Sequence, residues 1–216
     1  MDLQLKNKKF IVTGATSGLG NAVLKALVYE GAFVYAIARS VDKVGELNKR
    51  FKNSVLAVAG DITEIETIDR LLKLIKNETI EGVFVNAGGP PAKAFLETEL
   101  ADWDNAYKTL LRWKVDFMQK LLPKFIGQQY GRILFSESST VKQPLQNLVL
   151  SNSIRLAVVG MAKTLSEEIA QQGITVNVIG PGFHDTAAMQ RLFIKKSETE
   201  GISIEEARKN FESQTK

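Results

Sequence analysis

The chain of 216 residues contains no cysteine and one histidine, His184. Disulfides, thiolate nucleophiles and cysteine-type zinc sites are thereby excluded, and a lone imidazole excludes metal centres built from several histidines. No metal site is expected. Long apolar runs are also missing: none approaches the ~18–20 residues a membrane span needs, and the N-terminal MDLQLKNKKF has no signal-peptide core. Charge of one sign is scarce, because 28 Lys+Arg against 24 Asp+Glu leave a net +4, with no basic cluster beyond pairs such as Lys8-Lys9 and Lys195-Lys196. That pattern gives no support for a nucleic-acid partner. What is present, 44% hydrophobic and 24% charged residues, suits one globular domain over residues 1–216. The expectation is a cytoplasmic protein that binds something small.

Short apolar runs and amphipathic stretches alternate along the chain, with no low-complexity linker or repeat. The runs lie at 10–12, 33–37, 55–59, 83–85, 133–135 and 174–179 and are mostly β-branched or aromatic, as strands buried on both faces should be. Between them, Ala22–Glu30 stops at Gly31. Ile65–Ile75 carries apolar residues at 65, 68, 71, 72 and 75, and the segment after Ser151 places Ile154, Val158, Met161, Leu165 and Ile169 on one face before Gly173. Strand–helix alternation predicts right-handed crossovers and an α/β fold, a doubly wound parallel sheet of Rossmann type.

Directly after the first strand the chain reads TGATSGLG, Thr13 to Gly20, and then becomes helical. Gly14 permits a tight turn, Gly18 lets backbone approach a pyrophosphate, and Gly20 lets the helix pack close, with free helix N–H groups facing the anion. At the end of the second strand stands Ala38-Arg39-Ser40 rather than an acidic residue. A cation and a hydroxyl suit a 2′-phosphate, whereas a carboxylate would take a ribose 2′-hydroxyl, so the sequence favours NADP(H) over NAD(H). The plain alternative is that Arg39 is a solvated strand-end charge.

The TGxxxGxG spacing resembles that of the short-chain dehydrogenase/reductase family, and further motifs extend the resemblance over nearly the whole chain. Asp61-Ile62 looks like the adenine-contacting pair and Asn86-Ala87-Gly88 like the motif after the fourth strand. Gly131-Arg132-Ile133 with Ser136–Ser139 looks like the strand bearing the active-site serine. Ile174–Asn177, Pro181-Gly182 and Thr186 look like the sixth strand and nicotinamide loop. The resemblance implies an NAD(P)(H)-dependent oxidoreductase acting on a carbonyl or secondary alcohol. Its cofactor would lie on Gly14, Thr16, Ser17, Gly18, Leu19, Gly20, Arg39, Ser40, Asp61, Ile62, Asn86, Ala87, Gly88, Arg155, Pro181, Gly182 and Thr186.

The family's Ser, Tyr, Lys and Asn are not all present. The resemblance places Ser138 at the serine position, but registering the helix by Ala157–Gly160 puts Ser151 at the tyrosine position and Arg155 at the lysine position. Leu110 falls where the asparagine belongs. An aliphatic hydroxyl is a poor substitute for a phenol as an acid, and Arg155 can clamp ribose hydroxyls without moving a proton. His184 or Glu137, near Ser138, are the candidates for carrying the proton instead, the alternative for His184 being a place at the pocket mouth. The catalytic expectation is Ser138, Ser151, Arg155 and His184. The rival expectation is a non-catalytic NADP-binding protein, a sensor or an oligomerisation partner.

With Asn86–Pro91 and Leu150-Ser151-Asn152, the chain resembles a divergent branch described as 3-oxoacyl carrier-protein reductase-like or glucose 1-dehydrogenase-like. That resemblance implies a 3-oxoacyl thioester, a sugar or a similar small substrate. It also implies a homodimer through the long helices 104–128 and 151–172, and a lid-like helical segment over 187–216, its Lys- and Glu-rich part from Lys195 reading as an exposed helix pair, after which the family's last strand and helix are expected to be lacking. Trp103, Trp113, Arg112 and Lys114 are expected to be packing residues and solvated helix charges respectively.

Overall fold

The computed structural model describes residues 1–182 and 184–213. Six strands, β1 (Lys9–Thr13), β2 (Phe33–Ala38), β3 (Val55–Ala59), β4 (Gly82–Val85), β5 (Gly131–Ser136) and β6 (Ile174–Ile179), are joined by helical crossovers. All pair in parallel in the order β3-β2-β1-β4-β5-β6, which is the doubly wound Rossmann-like arrangement. Strand order reverses between β1 and β4, where Ile11 lies opposite Val83 and Val12 opposite Phe84. At that switch point the carboxyl ends of the strands part and leave a crevice.

Alternation along each strand divides the core into two layers, because successive side chains leave opposite faces of the sheet. Ile11, Ile37, Val83, Val85, Ile133 and Phe135 pack against α3 (Ile65–Leu74), α5 (Trp113–Gln128) and α6 (Val149–Glu168). Val12, Val34, Ala36 and Phe84 pack against α1 (Gly18–Tyr29) and α2 (Val41–Arg50). Both faces are thus dry at β2, β1 and β4, which is why those strands read as unbroken apolar runs, whereas the edge strand β6 exposes Thr175, Asn177 and Ile179.

Three elements differ from the sequence reading. The helix α2 shows only Val44 and Leu47 as buried residues and starts from Ser40, whose Oγ accepts from the Lys43 N–H at 3.4 Å; so thin an apolar stripe gives little periodic signal. The helix expected over 104–128 begins earlier, as α4 (Leu100–Tyr107), and passes through a π turn at Lys108–Arg112 before α5. The C-terminal pair, α7 (Ala187–Glu200) and α8 (Ile204–Ser213), turns at Gly201 (φ +66°) and closes over a small core of its own containing Met189, Phe193 and Ala207. Residues 214–216 of the expected 187–216 segment lie outside the described residues. No helix among the described residues is long and apolar enough to cross a membrane.

Phe117 is fully buried at the centre of the α5 stripe. Phe117→Ala is expected to destabilise the fold by about 3–5 kcal/mol, measured as a lower urea midpoint with an unchanged slope.

Candidate active site and cofactor crevice

The glycine loop is shaped by contacts a side chain would block. Gly14 has φ +62°, and a Cβ there would meet Asn86 Nδ2 at 2.7 Å; one on Gly20 would meet the Gly14 carbonyl oxygen at 2.2 Å. Gly18 (φ +51°) opens α1, and Ser17, the residue before it, makes no side-chain cap. No acidic residue lies in the first turn, so its N–H groups and the positive end of the dipole remain for an anion. The loop is pinned from below: the Ala15 N–H donates to the Ile37 carbonyl at 3.2 Å and Asn21 Nδ2 to the Ala15 carbonyl at 3.0 Å. Across the crevice Thr13 Oγ1 accepts from the Asn86 N–H at 2.7 Å and donates to the Asn86 carbonyl at 2.6 Å, clasping the ends of β1 and β4. A Cβ on Gly18 would sit 3.6 Å from the Thr186 methyl, so the loop after β6 reaches over the glycine loop. The cradle fits a dinucleotide pyrophosphate.

The flanking positions fall along the same edge. Arg39 is exposed and has no ion-pair partner among the described residues, while Ser40 caps α2. Asp61 turns one oxygen back to its own loop, accepting from the Thr63 N–H and hydroxyl at 2.9 Å each, and Ile62 beside it is buried. Ala87 is half-buried and Gly88 is exposed with open space where a Cβ would be. Pro181 accepts from the Ser139 N–H at 3.0 Å, and Gly180 packs so tightly on Ser138 that a Cβ would stand 3.0 Å from its carbonyl oxygen. The loops after β5 and β6 are therefore tied to each other.

Beneath this edge lies a buried cluster of charge. Glu137, the first residue beyond β5, has a side chain with 0% exposure. Its Oε1 accepts from Lys114 Nζ of α5 at 2.5 Å and its Oε2 from Arg155 Nη1 of α6 at 2.9 Å. Nη1 also donates to the Glu137 carbonyl at 3.2 Å, and Arg155 Nε donates to Ser151 Oγ, one turn earlier on α6, at 3.0 Å. Lys114 is 1% exposed, which corrects the expectation of a solvated helix charge. Burial pulls the Lys114 ammonium below its usual pKa, with Glu137 opposing that shift and Arg155 adding to it. The signal was in the helix: Lys114 stands three and four residues before Phe117 and Met118 and seven before Leu121, on the buried stripe of α5. A lysine on such a stripe requires a buried acid, and Glu137 at the end of an apolar strand is that acid. Arg112, by contrast, is exposed, and Trp103 and Trp113 pack as expected.

The expected catalytic residues are brought together unequally. Ser138 is half-buried, its Oγ accepting from the Thr140 N–H at 3.2 Å, and it adjoins Glu137. Ser151 and Arg155 meet directly, and Arg155 Nη2 has no acceptor among the described residues and faces the loop after β4, 3.4 Å from where a Cβ on Gly89 would be. His184 is exposed, with Nδ1 3.1 Å from the Gly182 carbonyl and no hydrogen bond to Ser138. Glu137 spends both oxygens on cations, which makes it an acceptor inside the cluster rather than a donor to substrate. Leu110 is fully buried inside the π turn.

Replacing Glu137 with Leu leaves two buried cations facing each other. The expected loss is about 3–5 kcal/mol of stability in chemical denaturation, and retention of wild-type stability would contradict a charged triad.

Comparison with known proteins agrees with this geometry. A family profile described as short chain dehydrogenase matches residues 8–197. An uncharacterized oxidoreductase of Staphylococcus epidermidis is 26% identical over 185 residues, covering 85% of this chain and 80% of that protein. One of Staphylococcus aureus is 29% identical over 187 residues with the same coverage. Among solved structures, L-sorbose reductase from Gluconobacter frateurii complexed with NADPH and L-sorbose superposes with a TM-score of 0.85 at 26% identity, covering 95% of this chain and 80% of that one. The 3-ketoacyl-(acyl-carrier-protein) reductase from Brucella melitensis complexed with NADH gives 0.81 at 26% identity, covering 87% and 80%. With nearly the whole strand–helix series and the glycine cradle inside the matched region, the chain belongs to the short-chain dehydrogenase family.

Proposed function

We propose that the protein is an NADP(H)-dependent oxidoreductase that interconverts a small carbonyl compound and a secondary alcohol, with an altered set of catalytic groups. The observation that carries the reading is the Arg155–Ser151 hydrogen bond, set at the carboxyl edge of the sheet over an intact dinucleotide cradle. Solved relatives are described as complexed with NADPH or with NADH, which supports a nicotinamide cofactor. The exposed Arg39, with Ser40 beside it, supports the phosphorylated form. Bound there, the nicotinamide supplies or accepts a hydride.

The chain's own residues do the rest in this reading. Gly14, Thr16, Ser17, Gly18, Leu19 and Gly20 offer backbone to the pyrophosphate. Asp61, Ile62, Asn86, Ala87 and Gly88 border the adenosine and ribose. Pro181, Gly182 and Thr186 flank the nicotinamide, and the free Nη2 of Arg155 takes ribose hydroxyls. Ser138 and Ser151 hold the substrate oxygen, and Arg155 Nε polarises the Ser151 hydroxyl. His184 stands at the pocket mouth, where it can exchange a proton with water. A 3-oxoacyl thioester or a sugar is the substrate class that the family branch suggests. The missing phenol favours a second reading, a non-catalytic NADP-binding protein.

Fluorescence titration is expected to show NADPH binding about tenfold tighter than NADH, with Arg39→Ala removing the difference. Incubation with NADPH and a panel of ketones, 3-oxoacyl thioesters and aldoses separates the two readings: tight binding without oxidation of NADPH on any of them leaves the non-catalytic protein.

The same reading extends to assembly, as a cytoplasmic homodimer with no nucleic-acid partner. The outer faces of α5 and α6 carry a groove of about 350 Å³ with Val115, Met118, Leu122, Met161 and Leu165 in its walls, and an apolar face of that kind suits a second copy. Leu165→Glu is expected to shift the sedimentation coefficient from dimer to monomer while cofactor binding persists.

A further inference from the structure

Reduction of a carbonyl places an electron pair on oxygen, and that charge must be met by a proton or by fixed charge. At this site the chain offers a weak acid and a strong field. Ser151 Oγ accepts from Arg155 Nε at 3.0 Å, so the serine proton remains free to be given, yet a serine hydroxyl is a far weaker acid than a tyrosine phenol. No stronger acid reaches it through the hydrogen bonds among the described residues. From Lys114 the chain of contacts runs to Glu137 and then to the guanidinium, which neither releases nor accepts a proton. The field is another matter. Glu137 divides its oxygens between Lys114 and Arg155, and the three side chains are 0%, 1% and 9% exposed. With Lys114 held charged by Glu137, one buried anion between two buried cations leaves positive charge uncompensated on the side of Arg155, which touches Ser151.

We propose that this site stabilises the substrate oxygen by charge rather than by an acidic proton, and that it therefore takes carbonyl groups activated by an electron-withdrawing neighbour, such as a trifluoromethyl ketone, a vicinal dicarbonyl or a 2-oxo ester. The proposal rests on the oxidoreductase reading. In the step, the carbonyl carbon gains a hydride from NADPH, the C=O π pair moves to oxygen, and the C–H bond forms. The carbonyl is reduced to an alkoxide while NADPH is oxidised to NADP⁺. The alkoxide oxygen, hydrogen-bonded by the Ser151 hydroxyl, then takes a proton from water, which leaves as hydroxide. An electron-withdrawing neighbour makes the alkoxide less basic and its charge easier to carry, which suits a weak donor in a positive field. Lys114 is a positioning residue in this scheme: it acts through Glu137, holding the carboxylate so that it does not neutralise Arg155 in full.

Two measurements on the full chain test the proposal. With saturating NADPH, 2,2,2-trifluoroacetophenone is expected to exceed acetophenone in kcat/KM by about 100-fold or more. Comparable values for the two ketones overturn the proposal and leave the oxidoreductase reading standing. Turnover of neither ketone nor any other carbonyl, with NADPH bound, overturns both. The second measurement needs no turnover. Benzoate and benzamide have the same shape, and only benzoate carries the anionic oxygen. Titrated into the NADPH-bound chain and followed by cofactor fluorescence, benzoate is expected to bind about tenfold tighter. Lys114→Met is expected to abolish that preference without abolishing NADPH binding. Equal binding of the two by the wild-type chain, or an unchanged preference in a folded Lys114→Met protein, overturns the proposal; if that variant does not fold, the wild-type comparison decides alone.

Discussion

Glu137 stands where β5, α5 and α6 converge, and its two carboxylate oxygens tie the helices to the strand. A carboxylate with no exposure needs partners, because an uncompensated buried charge is among the costliest features a fold can contain. Lys114 and Arg155 supply them from opposite sides. This mutual requirement fixes the rotation of α5 and α6 about their axes, and with it the direction in which Ser151 and the free Nη2 of Arg155 present themselves. Trp113, Phe117, Ile133 and Phe135 belong to the apolar layer on the same face of the sheet. Hydrophobic burial alone would hold these helices against the sheet, but it is non-directional. The ion triad is what gives the site a defined orientation.

The crevice above the triad is a consequence of sheet topology. Parallel strands deliver all their carboxyl ends to one edge, and the reversal of order between β1 and β4 opens that edge at one place. The Thr13–Asn86 clasp spans the opening, the glycine loop lines one side, and the joined loops after β5 and β6 line the other. The cofactor half of the site and the substrate half thus rest on different supports. One is backbone shape without side chains; the other is a set of charged side chains under tight mutual constraint.

Much of the fold was readable because its signal is local. The runs at 55–59 and 174–179 match β3 and β6 residue for residue, and Ile65–Ile75 differs from α3 by a single residue, since β-branched runs and i, i+3, i+4 spacing are written in neighbouring positions. The glycine loop was legible for the same reason: its function depends on missing side chains at fixed intervals. Elements with thin apolar stripes were harder. The stripe of α2 rests on Val44 and Leu47, and the seam between α7 and α8 is hidden among lysines and glutamates. The π turn at Lys108–Arg112 changes the helical register without any proline or glycine to announce it.

Lys114 is the clearest case of a residue that sequence alone misassigned. Lysine on a helix is ordinarily solvated, and the stripe it shares with Phe117, Met118 and Leu121 becomes decisive only when an acid is known to lie opposite. That acid is 23 positions away in sequence. The chain by itself determined the doubly wound sheet and the glycine loop after its first strand, because each is a matter of residue type at short spacing. Only the tertiary structure decided that Lys114, Glu137 and Arg155 form one buried cluster and that Ser151 is the hydroxyl it addresses. Pairing of charges across elements depends on distances that chain folding creates and that no local pattern encodes.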